Sequence, residues 1–236
     1  MPVKSTVYLV PSLLHENGLQ TIPAYILDAV KDCQVFFVEN ERSARRYLKQ
    51  LWKEMVIDDY EWIVIHKAEE TVKQNFVRYL KEGKIIGIIS EAGCPAIADP
   101  GQLLVEQAQL HQALVKPLVG PSSILLALMA SGMNGQCFKF SGYLPIDKIE
   151  RIAALRLLEK ESQSAHCTQM FIETPYRNNQ MLESILQNCQ PDTRLCIAVN
   201  LTGPDEWVKT KTIKDWSQQV PDIHKKPAMF LIYAGR

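Results

Sequence analysis

The first half of the chain alternates between short runs rich in Val and Ile and longer segments in which apolar residues recur at helical spacing. We predict five strands here, near residues 7–10, 35–38, 62–65, 84–89 and 114–116. Helices are expected between them, because apolar side chains return every three or four positions. Strands that are joined by crossover helices pair in parallel, so this half predicts an α/β fold with a mostly parallel sheet.

The second half of the chain has a different pattern of predicted strands. Its strands are expected near residues 138–141, 168–172 and 194–199, with antiparallel closing strands near 207–212 and 228–233. These strands fit a second, smaller α/β layer better than an extension of the first sheet. We therefore predict two domains, residues 1–117 and 118–236. The run 124–130 is apolar all round and predicts a helix that is covered on every side.

Composition narrows the class of protein. Lys and Arg number 26 and Asp and Glu number 26, so the chain lacks the overall positive charge of most nucleic-acid binders. The six cysteines form no C-x-x-C pair, which argues against a zinc site, and we predict no bound metal. No apolar stretch approaches the length of a membrane span or forms a signal core, so we predict a cytoplasmic protein without a membrane partner.

The densest group of basic residues lies at helical spacing within residues 42–53. Its members are Arg42, Arg45, Arg46, Lys49 and Lys53. A solvated outer helix face is the favoured interpretation, and a face that binds phosphate groups is the alternative.

One loop is unusual for its composition. The apolar strand 84–89 leads into residues 90–101, which hold two glycines, two prolines and two carboxylates. Ligands of open α/β sheets bind beyond the carboxyl ends of strands, so this loop is a candidate ligand site. Gly93 permits backbone angles that are closed to other residues, and the prolines stiffen the loop. The structural alternative is an ordinary connection in which residues 99–101 begin the next helix.

The loop is neither a phosphate loop nor a dinucleotide fingerprint, since both glycine patterns are missing. Six other segments accompany it in order along the chain. They are residues 8–12, 118–123, 140–145, 171–177, 198–202 and 229–232. Together the seven segments resemble the tetrapyrrole methylase superfamily, and most of all its ribosomal RNA small-subunit methyltransferase I branch, which methylates a cytidine ribose 2′-hydroxyl.

This resemblance implies a two-domain fold: an N-terminal parallel sheet with helices on both faces, a C-terminal mixed sheet, and S-adenosylmethionine in a cleft between them. It also implies a homodimer and an RNA partner, the small ribosomal subunit. The positions that carry over as cofactor-binding are Pro11, Ser90, Glu91, Ala92, Gly93, Pro95, Asp99, Ser122, Ser123, Thr174, Asn200, Leu201, Pro227 and Ala228. For Ser122 and Ser123, helix capping is a compatible alternative.

The chain departs from that branch where charged residues are replaced, at Tyr176, Val199 and Gly203. Two further hypotheses therefore stand beside methylation of ribosomal RNA. One is a methyltransferase of a tetrapyrrole or another small molecule, and the other is a cofactor-binding protein with little activity. An RNA enzyme is expected to gather basic residues near the mouth of the cleft, namely Arg42, Arg45, Arg46, Lys49 and Arg177.

Methyl transfer from a sulfonium needs mainly alignment of the reactants. A ribose hydroxyl is a poor nucleophile, however, and a base or hydrogen-bond acceptor assists it. The candidate catalytic residues are Glu39, His66 and Glu91, each near the carboxyl end of a predicted strand. The alternative for Glu39 is a surface pair with Arg42, and the alternative for His66 is a histidine bonded to a neighbouring carbonyl.

Overall fold

The computed structural model describes residues 5–65 and 69–235. They divide into two compact units, residues 1–122 and 123–236. Each unit contains one five-stranded sheet. The candidate catalytic residue His66 lies outside the described residues.

The sheet of the first unit is parallel throughout, with strand order β3-β2-β4-β1-β5. The strands are β1 (Thr6–Val10), β2 (Val35–Val38), β3 (Glu61–Val64), β4 (Ile85–Ile89) and β5 (Leu114–Pro117). The helices are α1 (Ile26–Asp32), α2 (Glu41–Leu51), α3 (Glu69–Lys81) and α4 (Gln102–Leu110). Every strand predicted in this half is present. The central strands β1, β2 and β4 are largely buried, as their Val- and Ile-rich runs predict, whereas the edge strands β3 and β5 are partly exposed. Pro117 is tolerated because β5 is an edge strand.

Two apolar clusters cover the two faces of this sheet. The first contains Ile26 and Val30 of α1 with Tyr47 and Leu48 of α2. The second contains side chains of α3 and α4, among them Phe76. The chain therefore leaves β1 for one face and β4 for the other, although β1 and β4 are neighbours. Such a topological switch point leaves a crevice between the loops that follow the two strands.

The sheet of the second unit is mixed, with strand order β6-β7-β10-β8-β9. Its strands are β6 (Phe138–Tyr143), β7 (Thr168–Ile172), β8 (Arg194–Val199), β9 (Trp207–Thr212) and β10 (Ala228–Tyr233). Its helices are α5 (Ser123–Ser131), α6 (Lys148–Ala165), α7 (Asn178–Asn188) and α8 (Ile213–Trp216). β9 and β10 run antiparallel to their neighbours, as predicted. β10 lies between β7 and β8, so its amino end meets their carboxyl ends.

The fold confirms the predicted α/β class, with a parallel first sheet and a mixed second sheet. The prediction for α5 was wrong in one respect. This helix was expected to be covered on every side, but Leu125 is 52% exposed and Met129 is 78% exposed. The reason is that α5 packs through one face, with Ala127 and Leu128 buried, against β8, β9 and β10.

Candidate functional site

The loops that follow β1 and β4 are hydrogen-bonded to each other at the switch point of the first sheet. The backbone N–H of Ser12 donates to the carbonyl oxygen of Gly93 at 2.8 Å. The Ser12 hydroxyl donates to the carbonyl oxygen of Ser90 at 2.9 Å. Ser12 and Ser90 are both buried. The crevice between β1 and β4 therefore has fixed walls.

Gly93 adopts a φ of +73°, in the left-handed region that favours glycine. A Cβ atom at this position would lie 3.2 Å from the Leu14 side chain and 3.4 Å from the carbonyl oxygen of Pro121. Backbone conformation and protein packing thus explain the glycine. Ala96 and Ala98 also have positive φ, at 66° and 61°, so the loop is held in a sparsely populated conformation. Strain of this kind is typical of functional loops.

Three carboxylates belong to this loop or contact it. Glu39, which follows β2, accepts a hydrogen bond from the backbone N–H of Glu91 through Oε2 at 2.8 Å. Asp99 accepts one from the N–H of Gly101 through Oδ1 at 2.6 Å, which closes the turn before α4. The interpretation of residues 99–101 as a helix start is therefore correct for Asp99 and Gly101, while Glu39 supports the loop at the other end.

Asp99 has a second oxygen, Oδ2, that is buried and has no hydrogen-bond partner within residues 5–65 and 69–235. Burial raises the pKa of the Asp99 carboxyl and the negative charge of Glu39 raises it further, whereas the backbone N–H groups of Gly101, Ala96 and Ile97 lower it. A buried acceptor without a well-aligned partner is costly unless a ligand supplies a donor. Oδ2 of Asp99 is thus a candidate acceptor for a ligand.

A cavity of about 240 Å³ lies beside the loop. Three segments line it: residues 12–16 after β1, one face of α2, and residues 89–92 at the start of the loop. Ser90, Glu91 and Ala92 are the predicted cofactor residues among them. The hydroxyl of Tyr47 donates to the carbonyl oxygen of Pro11 at 2.8 Å and so ties α2 to β1. The contribution of residues 13–16 was not predicted, whereas basic residues of α2 were expected near the active site of an RNA enzyme.

The basic residues of α2 separate into different environments. Arg45 forms an ion pair with Glu41 at 2.7 Å, and its guanidinium lies 5.1 Å from the ring centroid of Trp62. The amino group of Lys49 donates to the carbonyl oxygens of Lys53 and Met55. Arg46 lines the cavity. The expected solvated helix face therefore holds for part of the group, and a single arginine reaches the site.

The remaining predicted residues of the first unit are structural neighbours of the loop. A Cβ atom on Gly120 would lie 2.1 Å from Cβ of Pro11, so the segment before Ser122 runs directly over the β1 loop. Pro95 is buried within the loop. The Cys94 thiol lies 3.5 Å from the carbonyl oxygen of Pro121, and burial raises its pKa. A raised pKa disfavours the thiolate, so Cys94 is a packing residue rather than a nucleophile.

In the second unit the predicted residues lie along the carboxyl edge of β7 and β8. The backbone N–H of Asn200 donates to the carbonyl oxygen of Pro227 at 3.0 Å, and Ala228 pairs with Val199 in the sheet. Thr174 begins the turn after β7, where the N–H of Lys225 donates to the carbonyl oxygen of Pro175. The structure thus brings Thr174, Asn200, Leu201, Pro227 and Ala228 to one edge, while Ser123 begins α5.

Three buried polar atoms at this edge have no hydrogen-bond partner among the described residues: Nε of Arg177, Oδ1 of Asn178 and Oγ1 of Thr202. Arg177 pairs with the buried carboxylate of Glu173 at 2.6 Å through its terminal nitrogen. Thr202 has a φ of +68°, which is rare for a β-branched residue. Sequence reasoning missed Asn178 and Thr202, although Thr202 lies within a matching segment.

Among the helices that the structure describes, none is both long and apolar enough to cross a membrane. No group of three or more His, Cys, Asp or Glu side chains in residues 5–65 and 69–235 is arranged to hold a metal ion.

Two curated proteins that share one name are similar to this chain over most of its length. The chain is 28% identical over 233 residues to the ribosomal RNA small subunit methyltransferase I of Buchnera aphidicola subsp. Schizaphis graminum, with 97% of this chain and 78% of that protein covered. It is 29% identical over 235 residues to the protein of the same name from Vibrio cholerae, with 97% and 77% covered.

Solved structures share the fold at low sequence identity. A diphthine synthase aligns with a TM-score of 0.68 at 12% identity and covers 97% of this chain and 89% of that one. The uroporphyrin-III-C-methyltransferase from Thermus thermophilus aligns with a TM-score of 0.56 at 16% identity and covers 98% and 92%. The profile of the tetrapyrrole (corrin/porphyrin) methylases matches residues 14–216, which is most of the chain. This chain therefore belongs to the tetrapyrrole (corrin/porphyrin) methylases, a family of methyltransferases.

Proposed function

We propose that this protein transfers a methyl group from S-adenosylmethionine to a ribose 2′-hydroxyl of cytidine in small-subunit ribosomal RNA. The observation that carries the proposal is the cavity of about 240 Å³ at the switch point of the first sheet, beside the loop that begins at Ser90. Its position is where open α/β sheets bind ligands. The two relatives described above are named for methylation of ribosomal RNA.

The chemistry of the donor suits the residues at both sheet edges. S-adenosylmethionine carries amino and hydroxyl groups and a positive sulfonium, and it supplies an activated methyl group. Asp99 Oδ2, Asn178 Oδ1 and Thr202 Oγ1 are buried acceptors that have no partner among the described residues. Acceptors of this kind match the hydrogen-bond donors of such a molecule. We therefore keep Asp99 as a cofactor residue and add Asn178 and Thr202.

The chain's own residues have two tasks in this proposal. Glu39 positions the cofactor loop, because its carboxylate accepts a hydrogen bond from the N–H of Glu91. Glu91 lines the cavity with an exposed side chain, so its carboxylate is placed to accept the proton of the acceptor hydroxyl. His66 stays a candidate for the same task.

The relatives favour an RNA acceptor over a tetrapyrrole, because both are named as ribosomal RNA small subunit methyltransferases. The cofactor cleft between two domains, the homodimer and the cytoplasmic location remain predictions.

The experiment is transfer of tritiated methyl groups from S-adenosylmethionine to a cell extract that is separated into small ribosomal subunits, other RNA and small molecules. We expect label in small-subunit ribosomal RNA, on ribose rather than on a base after nuclease digestion. Label in the small-molecule fraction alone would overturn the proposal in favour of a tetrapyrrole-type acceptor. Donor binding without label in any fraction would favour a binding protein.

A further inference from the structure

One cationic side chain of α2, Arg46, lines the cavity, whereas Arg42, Arg45 and Lys49 of the same helix do not. Arg45 pairs with Glu41, and Lys49 donates to two carbonyl oxygens at the end of α2. Arg46 is exposed and has no hydrogen bond or ion pair to the described residues. A guanidinium that lines a cavity without a protein partner is available to an anion.

Hydrogen bonds hold α2, the helix that carries Arg46, at its amino end and next to Arg46. Asn40 caps it, since its side-chain oxygen accepts from the N–H groups of Arg42 at 3.0 Å and Ser43 at 3.2 Å. The Tyr47 hydroxyl, whose pKa is raised by burial, binds the carbonyl oxygen of Pro11. The backbone at Arg46 is therefore held in a fixed position relative to the loop that begins at Ser90.

The rest of the cavity lining defines what kind of anion fits. Ser43, Arg46 and Gln50 follow one face of α2 and bring donors to one wall. Glu16 and Glu91 bring carboxylates to the other walls. A free polyanion would meet repulsion from these carboxylates. A single phosphodiester at the arginine, with neutral ribose and base groups toward the carboxylates, satisfies both sides.

We propose that Arg46 is the residue that positions the RNA backbone: it binds a phosphate adjacent to the target nucleotide and so places the ribose hydroxyl beside Glu91. This inference rests on the proposed RNA function. Arginine suits this task because its planar guanidinium group can donate hydrogen bonds to two phosphate oxygens at once. Arg46 acts through the orientation of the substrate and takes no part in proton or methyl transfer.

The test compares Arg46→Ala and Arg46→Lys with Lys53→Ala, which removes one exposed positive charge at the end of the same helix but outside the cavity. The probe is deproteinised small-subunit ribosomal RNA, and binding is measured between about 50 and 200 mM salt. We expect Arg46→Ala to weaken binding by about 5- to 100-fold. The slope of log K against log salt should also fall by about 0.7 to 0.9.

The two other variants show how far the effect depends on the guanidinium group and how far on positive charge alone. Arg46→Lys keeps the positive charge but loses the planar guanidinium group. The salt slope should therefore be retained, while the affinity for RNA should lie between those of Arg46→Ala and the unmodified protein. Lys53→Ala should bind like the unmodified protein within about twofold, the scale of a weak exposed contact. Calorimetric binding of S-adenosylmethionine should be the same in all four proteins, which also verifies that each variant is folded.

The outcomes separate this inference from the function on which it rests. If the unmodified protein methylates RNA but Arg46→Ala matches Lys53→Ala, the assignment of Arg46 is wrong while the function stands. If Arg46→Ala loses S-adenosylmethionine binding, Arg46 belongs to the donor site and the inference is overturned. If the unmodified protein labels only small molecules, the proposed function itself fails.

Discussion

The carboxyl edges of the two sheets differ in how far the protein satisfies its own polar groups. In the first unit, Ser12 and Glu39 hold the loop at Ser90, Glu91 and Gly93, and one oxygen of Asp99 has no partner among the described residues. In the second unit, three buried side-chain atoms at one edge likewise have no partner in the described part of the chain. The first edge is preorganised by contacts within the protein, whereas the second is incomplete.

This difference predicts different roles for the two edges. Preorganised groups stabilise a transition state because no reorganisation is needed when charge develops. Unpaired buried groups gain most from a ligand, because binding removes their desolvation penalty. We therefore expect the largest catalytic loss from a change at Glu91 of the first edge. Losses of donor affinity are expected from changes at the second edge and, at the first edge, from changes at Glu39 and Asp99. Each prediction below either sharpens or breaks that contrast.

The largest effect should come from Glu91→Gln. If this carboxylate accepts the proton of the acceptor hydroxyl, kcat should fall by about 100-fold or more while donor affinity is retained. The matched variant is Glu39→Gln, which weakens a charge-assisted bond to the loop and should raise KM for the donor more than it lowers kcat. Steady-state kinetics on both variants measures the split. A larger loss of kcat in Glu39→Gln would reverse the two roles.

Gly120→Ala should destabilise the protein by about 1 to 3 kcal/mol, the usual cost of overpacking. Its Cβ would lie 2.1 Å from Cβ and 2.4 Å from Cγ of Pro11, and a proline ring cannot rotate away. Gly135→Ala is the control, because its Cβ would have no neighbour within 4 Å. Urea unfolding measures both. Equal stability of the two variants would show that the first edge is less rigid than its contacts indicate.

Much of the fold was readable from sequence, because the periodicity of strands and helices reflects local burial. The order of the second sheet was not, since the insertion of β10 between β7 and β8 depends on contacts between distant segments. The loop after β4 was predicted from composition as a candidate ligand site. The atoms of Asn178 and Thr202 that have no partner among the described residues were not predicted, because pairing is a property of the folded surroundings. The exposure of Met129 was missed for the same reason.

A smaller effect is expected from Thr202→Val, which removes a buried hydroxyl that has no partner among the described residues. Loss of one hydrogen bond to the donor should weaken its affinity by about 2- to 10-fold. Stability without ligand should be unchanged or higher, because an unpaired polar group is gone. Thr212→Val is the matched control: Thr212 caps α8 through the N–H of Asp215, so stability should fall while donor affinity stays. Unchanged donor affinity in Thr202→Val would remove the second edge from the cofactor site.

The smallest effect concerns the pH dependence of stability at Asp99. Burial raises the pKa of this carboxyl in the folded protein. Its contribution to stability is therefore fully present below the ordinary aspartate pKa of about 3.9 and is lost as pH rises through the higher folded value. Asp99→Asn removes this titration and keeps an acceptor for the N–H of Gly101.

We expect the variant to gain stability relative to the unmodified protein as pH rises from about 4 to 7, and to bind S-adenosylmethionine more weakly at neutral pH. Thermal melts across this range measure the first effect, and calorimetry measures the second. Parallel melting curves with equal donor affinity would mean that the unpaired oxygen of Asp99 serves neither stability nor binding. The first edge would then be satisfied entirely within the protein, and the contrast with the second edge would be complete.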